Sequence, residues 1–252
     1  MSTKALRLRR VFRDDGRVLL VAMDHASFMG PVPGLDLTTM SDVVKAGADA
    51  IMTTFGTARR ASQQPGILGQ AALVLSLDVH AAEPEEQVVN AIRLGADSVK
   101  VLAVSSDRQQ WINLERYALV CDRWGIPLQA EVIPGGFDQP EQHTPGNIAR
   151  VCRQAAEMGA DYVKTLYTGD PESMRRVVEG ATVPVIILGG NRAASESDLL
   201  RQVEDALQAG VRGVAFGRNI WSQADPAAIT TRLVDVIHRG ITVNYRLASA
   251  TA

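Results

Sequence analysis

A short joint between a helical pattern and a buried strand recurs along this chain, and it constrains the fold more than any other feature. The segments Ala46–Asp49, Leu94–Asp97 and Met158–Asp161 all end in Gly-Ala-Asp, and Ala209–Arg212 is a degraded fourth copy. Glycine suits the left-handed conformation that often ends a helix. Repeated helix–glycine–strand joints indicate repeated βα units, which build parallel sheets.

Eight short runs rich in β-branched residues supply the strands of this pattern. They are almost continuously apolar, as expected of parallel strands covered on both faces. The runs are Arg17–Met23, Ala50–Thr53, Ala72–Leu77, Ser98–Val104, Leu128–Ile133, Tyr162–Leu166, Val185–Leu188 and Gly213–Phe216. We therefore expect an α/β fold, a single-domain (β/α)8 TIM barrel. A doubly wound open sheet is the alternative, but no GxGxxG motif follows the first strand.

Length and charge narrow the range of functions. The chain has 252 residues, which is about what such a barrel needs, and no linker or composition shift divides it. We expect one domain over residues 1–252, with an N-terminal extension at 1–16 and a C-terminal tail at 240–252. The net charge of −2 disfavours a nucleic-acid partner, and the absence of a long apolar run disfavours a membrane partner.

The two cysteines point to a structural role rather than to chemistry. Cys121 and Cys152 both fall within helical patterns and have no metal-ligand spacing. We expect them to be buried and unbridged, which fits a reducing cytoplasm. No group of His, Cys, Asp and Glu has convincing metal spacing, so we expect neither a metal site nor a cofactor.

Two lysines occupy equivalent places in the repeat, within apolar strands. Lys100 follows Asp97-Ser98-Val99, and Lys164 follows Asp161-Tyr162-Val163. Burial disfavours the charged form of a lysine, and a neutral amine is the nucleophile that a Schiff base needs. A buried lysine paired with a carboxylate is the structural alternative. The pattern alone does not choose between the two lysines.

Further polar residues stand where strands end, which is where the active groups of such a barrel gather. Asp24 and His25 follow the first strand and are candidates for acid–base work, although capping a turn would also explain them. Glu131 lies within the fifth strand.

Two glycine-containing loops follow strands seven and eight, the usual phosphate site of this barrel. They contain Gly189-Gly190 and Gly217-Arg218. Glycines let backbone N–H groups approach an anion, and an arginine adds a charged guanidinium that can donate two parallel hydrogen bonds. We expect these four residues to bind the phosphate of a small carbonyl substrate.

Over roughly Arg17 to Arg239 the sequence resembles the archaeal-type class I aldolase family. This group includes class I fructose-bisphosphate aldolases, aminodideoxyheptulosonate synthases and the thiolase that degrades a phosphorylated autoinducer-2 signal. The segments that carry the likeness are Ala22–His25, Gly159–Asp170, Gly189–Gly190 and Gly217–Ile220; Gly30–Leu35 is most similar to the thiolase branch.

The resemblance implies a Schiff base on Lys164 rather than on Lys100. It also implies that Asp24 assists proton transfers, that the two glycine loops hold phosphate, and that the protein is a homo-oligomer. An imine is an electron sink that stabilises the enamine formed when a carbon–carbon bond breaks or forms.

The sequence departs from the family pattern in two places. The usual Asp-His-Gly is Asp24-His25-Ala26, and the tyrosine that precedes a proline at the end of strand five in the aldolases is Ile133. If the two patterns are aligned correctly, Ile133 faces the substrate where an aldolase has a phenol. Glu131 has the same strand parity and is the candidate replacement acid.

Three functions follow from these observations. The first is a class I, metal-independent aldolase that acts on a phosphorylated ketose or on a substrate of the dihydroxyacetone phosphate type. The second is an imine-dependent carbon–carbon transferase or thiolase of the same family. The third is a phosphosugar-binding protein with reduced catalysis, in which Lys164 is only an ion-pair partner. The missing tyrosine favours the second and third.

Overall fold

Eight parallel strands close into a barrel in the order of the sequence, with each strand hydrogen-bonded to the next and the last to the first. The computed structural model describes residues 3–190 and 193–242. The strands are β1 Val18–Ala22, β2 Ala50–Thr53, β3 Ala72–Ser76, β4 Ser98–Val104, β5 Leu128–Ile133, β6 Tyr162–Thr165, β7 Val185–Leu188 and β8 Gly213–Phe216. The predicted (β/α)8 barrel is confirmed, and the open sheet is excluded. Five of these strands have the predicted bounds, and β1, β3 and β6 are slightly shorter.

Helices surround the barrel. They are α1 Thr3–Val11, α2 Ala26–Met29, α3 Leu37–Lys45, α4 Phe55–Ala61, α5 Pro84–Arg93, α6 Arg108–Trp124, α7 Pro145–Glu157, α8 Pro171–Ala181, α9 Glu196–Gln208, α10 Arg218–Trp221 and α11 Pro226–Arg239, with a 3-10 helix at Pro140–Gln142. Helices α7, α8 and α11 each begin with a proline after a side chain that caps the first turn, a combination that fixes where a helix starts.

The aspartate of each repeated joint ties the new strand to the strand before it. Asp49, Asp97 and Asp161 each accept a hydrogen bond from a backbone N–H near the start of the preceding strand, at 2.5, 3.0 and 2.8 Å respectively. A buried N–H group needs a partner, and the carboxylate supplies one where the sheet ladder begins. This explains why the repeat ends in aspartate.

Helix α1 and the residues directly after it place basic side chains on these same three aspartates. Lys4 Nζ lies 2.9 Å from Asp161, Arg10 Nε lies 3.0 Å from Asp97, and Arg13 pairs with Asp49. Apolar residues of the same segment pack on the inner core at the N-terminal end of the barrel: Leu8, Val11 and Phe12. The first part of the expected N-terminal extension therefore closes the floor of the barrel. Residues 243–252 of the expected tail lie outside the described residues.

The described helices and cysteines bear on three further expectations. Within residues 3–190 and 193–242, no helix is long and apolar enough to cross a membrane. Over the same residues, no three His, Cys, Asp or Glu side chains are grouped so that they could hold a metal ion. Cys121 and Cys152 are buried and unbridged as predicted, and burial raises the pKa of each thiol to about 12.

Candidate active site

A cavity of about 590 Å³ opens at the C-terminal end of the barrel. All eight residues that the sequence singles out as site residues line it: Asp24, His25, Glu131, Lys164, Gly189, Gly190, Gly217 and Arg218. They come from the ends of β1, β5, β6, β7 and β8, which a barrel brings to one rim. The structure thus assembles the predicted set in one place.

Four buried side chains form a row of alternating charge across the base of this cavity. Lys100 Nζ lies 3.2 Å from Asp24 Oδ2 and 3.1 Å from Glu131 Oε2. The other oxygen of Glu131, Oε1, lies 2.8 Å from Lys164 Nζ. We call Asp24, Lys100, Glu131 and Lys164 the charged row. The formal charges cancel, which is what makes the burial of four ionic groups tolerable.

Strand register explains how these side chains meet. Glu131 and Lys164 are direct partners across β5 and β6, and residues in register leave a sheet on the same face. Lys100 lies two residues before Leu102, the partner of Glu131 on β4, so its side chain leaves on that face too. Their long side chains extend from neighbouring strands into the cavity at the C-terminal end of the barrel.

The charged row shifts the titration of its members. Burial alone would raise the pKa of Asp24, but the positive charges of Lys100 and Lys164 outweigh it and lower that pKa to about 2. Burial would also raise the pKa of Glu131, but the positive charges of Lys164 and Lys100 outweigh burial and lower it. For Lys100, burial is outweighed by Glu131 and Asp24, and its pKa is raised above the usual range. Both carboxylates and Lys100 are therefore ionised at neutral pH.

His25 is held in an aromatic setting beside the row. Its ring centroid lies 5.4 Å from those of both Phe28 and Trp221, and its Nδ1 is 3.5 Å from Asp24 Oδ1. Burial lowers the pKa of His25 despite the nearby carboxylate of Asp24. The ring is consequently neutral at pH 7, able to donate or accept one proton but not a fixed cation.

The loops after β7 and β8 meet at one wall of the cavity. Arg218 Nη2 donates to the Gly190 carbonyl at 2.9 Å, and Asn219 Nδ2 donates to the Gly189 carbonyl at 3.0 Å. Gly190 has a φ of 54°, which favours glycine. A Cβ on Gly217 would lie 2.5 Å from a ring carbon of His25, so this close approach also requires glycine.

Sequence reasoning missed several features of the site. It did not foresee that Lys100 bridges two carboxylates, that the Ser76 hydroxyl hydrogen-bonds Asp24, or that Asn219 ties the two glycine loops together. The position of Asn219 directly after Gly217-Arg218 is the one signal that could have pointed to it. Phe28, Met29 and Phe137, which line the cavity mouth, carried no pattern that marks them as site residues.

The expectation for Ile133 is wrong. Its side chain is completely buried and is not among the residues that line the cavity, whereas Glu131, two residues earlier, is. Strand parity places both on one face, but Ile133 at the end of β5 is covered by protein.

Comparison with known proteins gives relatives over nearly the full chain. The 2-amino-4,5-dihydroxy-6-oxo-7-(phosphonooxy)heptanoate synthase of Streptomyces griseus is 33% identical over 264 residues, covering 99% of this chain and 95% of the relative. The 2-amino-3,7-dideoxy-D-threo-hept-6-ulosonate synthase of Halobacterium salinarum is 35% identical over 257 residues, covering 98% and 96%.

Solved structures of similar fold include Schiff-base enzymes. An archaeal fructose 1,6-bisphosphate aldolase superposes with a TM-score of 0.79 at 28% identity, over 94% of this chain and 100% of that one. A Schiff-base-forming fructose-1,6-bisphosphate aldolase gives a TM-score of 0.78, also at 28% identity, over 93% and 100%. The sequence profile of the DeoC/LacD family aldolases matches residues 18–223, which include the whole charged row. This chain is a member of the DeoC/LacD aldolase family.

Proposed function

We propose that the protein is a Schiff-base-forming, metal-independent class I aldolase, that its nucleophile is Lys164, and that a single barrel domain carries the activity. The substrate is a phosphorylated ketose or a compound of the dihydroxyacetone phosphate type. The observation that carries this proposal is the 2.8 Å contact between Lys164 and Glu131 at the base of the cavity. It gives the lysine a proton acceptor in direct contact, which imine formation requires.

Imine formation uses this pair twice. Lys164 passes a proton to Glu131, and the neutral amine adds to the substrate carbonyl to give a carbinolamine. Glu131, now protonated, returns the proton to the departing hydroxyl, which leaves as water. Lys100 contacts two carboxylates and is held as an ammonium, so it is a poor nucleophile and instead stabilises the negative charge of Glu131.

The carbon–carbon step follows from the protonated imine. In cleavage, the imine takes up the electron pair of the breaking carbon–carbon bond and becomes an enamine. A base removes the proton of the substrate hydroxyl whose oxygen becomes the carbonyl oxygen of the product aldehyde. Asp24 is the proposed assistant for these proton transfers: it is ionised, and His25 lies beside it. Protonation of the enamine and hydrolysis by water release the second product and free Lys164.

The loops after β7 and β8 are the proposed phosphate site. Gly189, Gly190, Gly217 and Arg218 line one wall of the cavity, and α10 begins at Arg218. Backbone N–H groups at such a short helix suit an anion, as does the guanidinium. Phosphate held here positions the carbonyl over the base of the cavity.

The imine-dependent transferase is the second candidate. The observation in its favour is that no tyrosine lines the described part of the cavity, so the proton donor of the family's aldolases is missing. A binding protein without catalysis is less well supported, because the charged row provides both a nucleophile and its base.

Borohydride reduction in the presence of dihydroxyacetone phosphate tests the proposal. Mass spectrometry should locate the reduced adduct on Lys164. Lys164→Met should abolish labelling, whereas Lys100→Met should only weaken it. Labelling of Lys100, or turnover that requires an added divalent metal, would overturn the assignment. Release of a free aldehyde from a ketose phosphate separates a lyase from a transferase.

We further propose a homo-oligomer in a reducing cytoplasm. Support for the oligomer comes from α6, which exposes the large apolar side chains of Ile112, Leu119 and Trp124. Support for the compartment comes from two unbridged cysteines. Light scattering of wild-type protein and of Leu119→Asp tests the oligomer: a monomeric wild type would contradict it.

A further inference from the structure

The mouth of the cavity is apolar on both sides. Phe28 and Met29 of α2 stand at one side and are 71% and 47% exposed, and Phe137, which follows β5, stands at the other and is 58% exposed. All three line the cavity. Strands β1 and β5 lie on opposite sides of an eight-stranded barrel, so these side chains face one another across the entrance. We call them the apolar rim.

Specific hydrogen bonds hold the turn that carries Phe137 at the rim. Gly135 N donates to Ser105 Oγ at 2.6 Å and Ser106 donates to the Gly135 carbonyl, while His143 Nε2 lies 2.8 Å from the Gly136 carbonyl. Gly135 and Gly136 have φ values of 71° and 142°, so the turn that presents Phe137 depends on glycine.

Phe28, on the other side, is held by its contact with the His25 ring, which packs in turn on Trp221. The Phe28 ring and the turn that carries Phe137 are therefore both anchored to the barrel.

Positive charge is distributed unequally along the lining. Among the described lining residues the permanent cations are Lys100, Lys164 and Arg218. Carboxylates neutralise both lysines, which leaves Arg218 as the cation available to an anionic ligand. The described lining thus offers one cationic end, at β7 and β8, and an apolar rim at the mouth.

We propose that the apolar rim is the subsite for the second reactant, an unphosphorylated aldehyde with an aromatic or branched aliphatic substituent. This inference rests on the proposed function and deepens it. The enamine carbon on Lys164 bonds to the aldehyde carbon, the aldehyde oxygen takes a proton and becomes a hydroxyl, and water hydrolyses the imine to release a ketose phosphate. Phe28 and Phe137 bury the substituent while the new bond forms.

Aldehyde preference tests the subsite. With dihydroxyacetone phosphate as donor, wild-type kcat/KM should be higher for phenylacetaldehyde than for glyceraldehyde 3-phosphate. The double variant Phe28→Ala/Phe137→Ala should lose at least about tenfold in kcat/KM for phenylacetaldehyde, since one or two methylenes of apolar contact change discrimination by about 10- to 200-fold.

Phe55→Ala is the matched control. Phe55 is 45% exposed and follows β2 at the same end of the barrel, but it does not line the cavity. This variant should keep the wild-type preference. Preference of the wild type for the phosphorylated aldehyde, or equal losses for both aldehydes in the double variant, would overturn the subsite. So would dissociation of an oligomer by the double variant with its preference intact, because the rim would then be a contact between copies.

Binding of 2-phenylethanol, an unreactive analogue, separates this inference from the proposed function. Saturation-transfer NMR should detect it on the wild type and on Phe55→Ala but not on the double variant. If that result comes without any borohydride labelling of Lys164, the proposed function fails and the apolar subsite stands. If labelling occurs and 2-phenylethanol binds all three proteins alike, or none of them, the subsite fails and the proposed function stands.

Discussion

Glu131 and Lys164 are register partners on neighbouring strands, and one oxygen of the carboxylate lies 2.8 Å from the lysine nitrogen. The other oxygen faces Lys100 at 3.1 Å. One carboxylate therefore lies between two lysine side chains, whose charges lower its pKa. A proton that leaves Lys164 has its acceptor in contact before any substrate binds.

Replacing Glu131 by Gln should reduce turnover by about 10²- to 10⁴-fold, the usual contribution of a positioned acid–base group. The amide keeps the shape of the side chain but cannot take the proton of Lys164. The rate of borohydride-trapped imine formation measures the effect directly. Glu157→Gln, on the exposed face of α7, is the control and should leave the rate unchanged. A Glu131→Gln enzyme within threefold (roughly) of wild type would assign the proton transfer to Asp24 or His25.

Replacing Arg218 by Ala should raise the KM for a phosphorylated substrate by about tenfold or more, since a hydrogen bond to a charged group contributes about 1.5–3 kcal/mol. Unphosphorylated dihydroxyacetone should be affected far less. Arg175→Ala, at an exposed position of α8, serves as the matched variant. Equal losses with both substrates would show that Arg218 acts through its bond to the Gly190 carbonyl and not on phosphate.

Replacing Ile133 by Tyr should destabilise the protein without creating an aldolase. The side chain is completely buried, so a larger ring must displace its neighbours, at a cost of about 1–3 kcal/mol. Urea denaturation measures that cost, and a fructose-bisphosphate cleavage assay measures the activity. Cleavage that rises clearly above wild type would show that position 133 reaches the substrate after all.

The stability of the barrel floor should fall as pH rises above about 6.5, the ordinary pKa of histidine. His238 lies 2.8 Å from both Asp15 and Asp49; burial lowers its pKa, but the hydrogen bonds to these carboxylates outweigh burial and raise it. A histidine whose pKa is raised in the folded state stabilises the folded protein. That contribution is complete at a pH below the unfolded pKa of about 6.5, and it is lost as the pH rises through the folded pKa. The urea midpoint should therefore drop with rising pH in the wild type more than in His238→Gln. Parallel pH profiles for the two proteins would contradict the ion-pair role of His238.

The fold was predictable because its signals are local. Three joints between a helix and the next strand carry the sequence Gly-Ala-Asp. Strands buried on both faces are continuously apolar, so the bounds of β2 and β5 could be predicted to the residue. The members of the site were predictable for the same reason, since strand ends converge on one rim.

Other features of the site do not follow from any periodic pattern in the sequence. The sharing of Lys100 between Asp24 and Glu131 needs the register of β4 against β5 and the reach of side chains across the barrel. Strand parity gave the correct face of the sheet for Ile133, but it could not show that other parts of the protein cover this side chain. The position of Phe137 follows from glycine dihedrals and serine contacts in a loop.

The basic residues of α1 and of the segment directly after it pair with aspartates far along the chain. Arg13 finds its partner 36 residues away, whereas Lys4 and Asp161 are 157 residues apart. During synthesis, the partner of Arg13 emerges with the second strand, but that of Lys4 emerges only with the sixth, the strand that carries Lys164. The floor of the barrel therefore cannot be completed until the strand bearing Lys164, the proposed nucleophile, has left the ribosome.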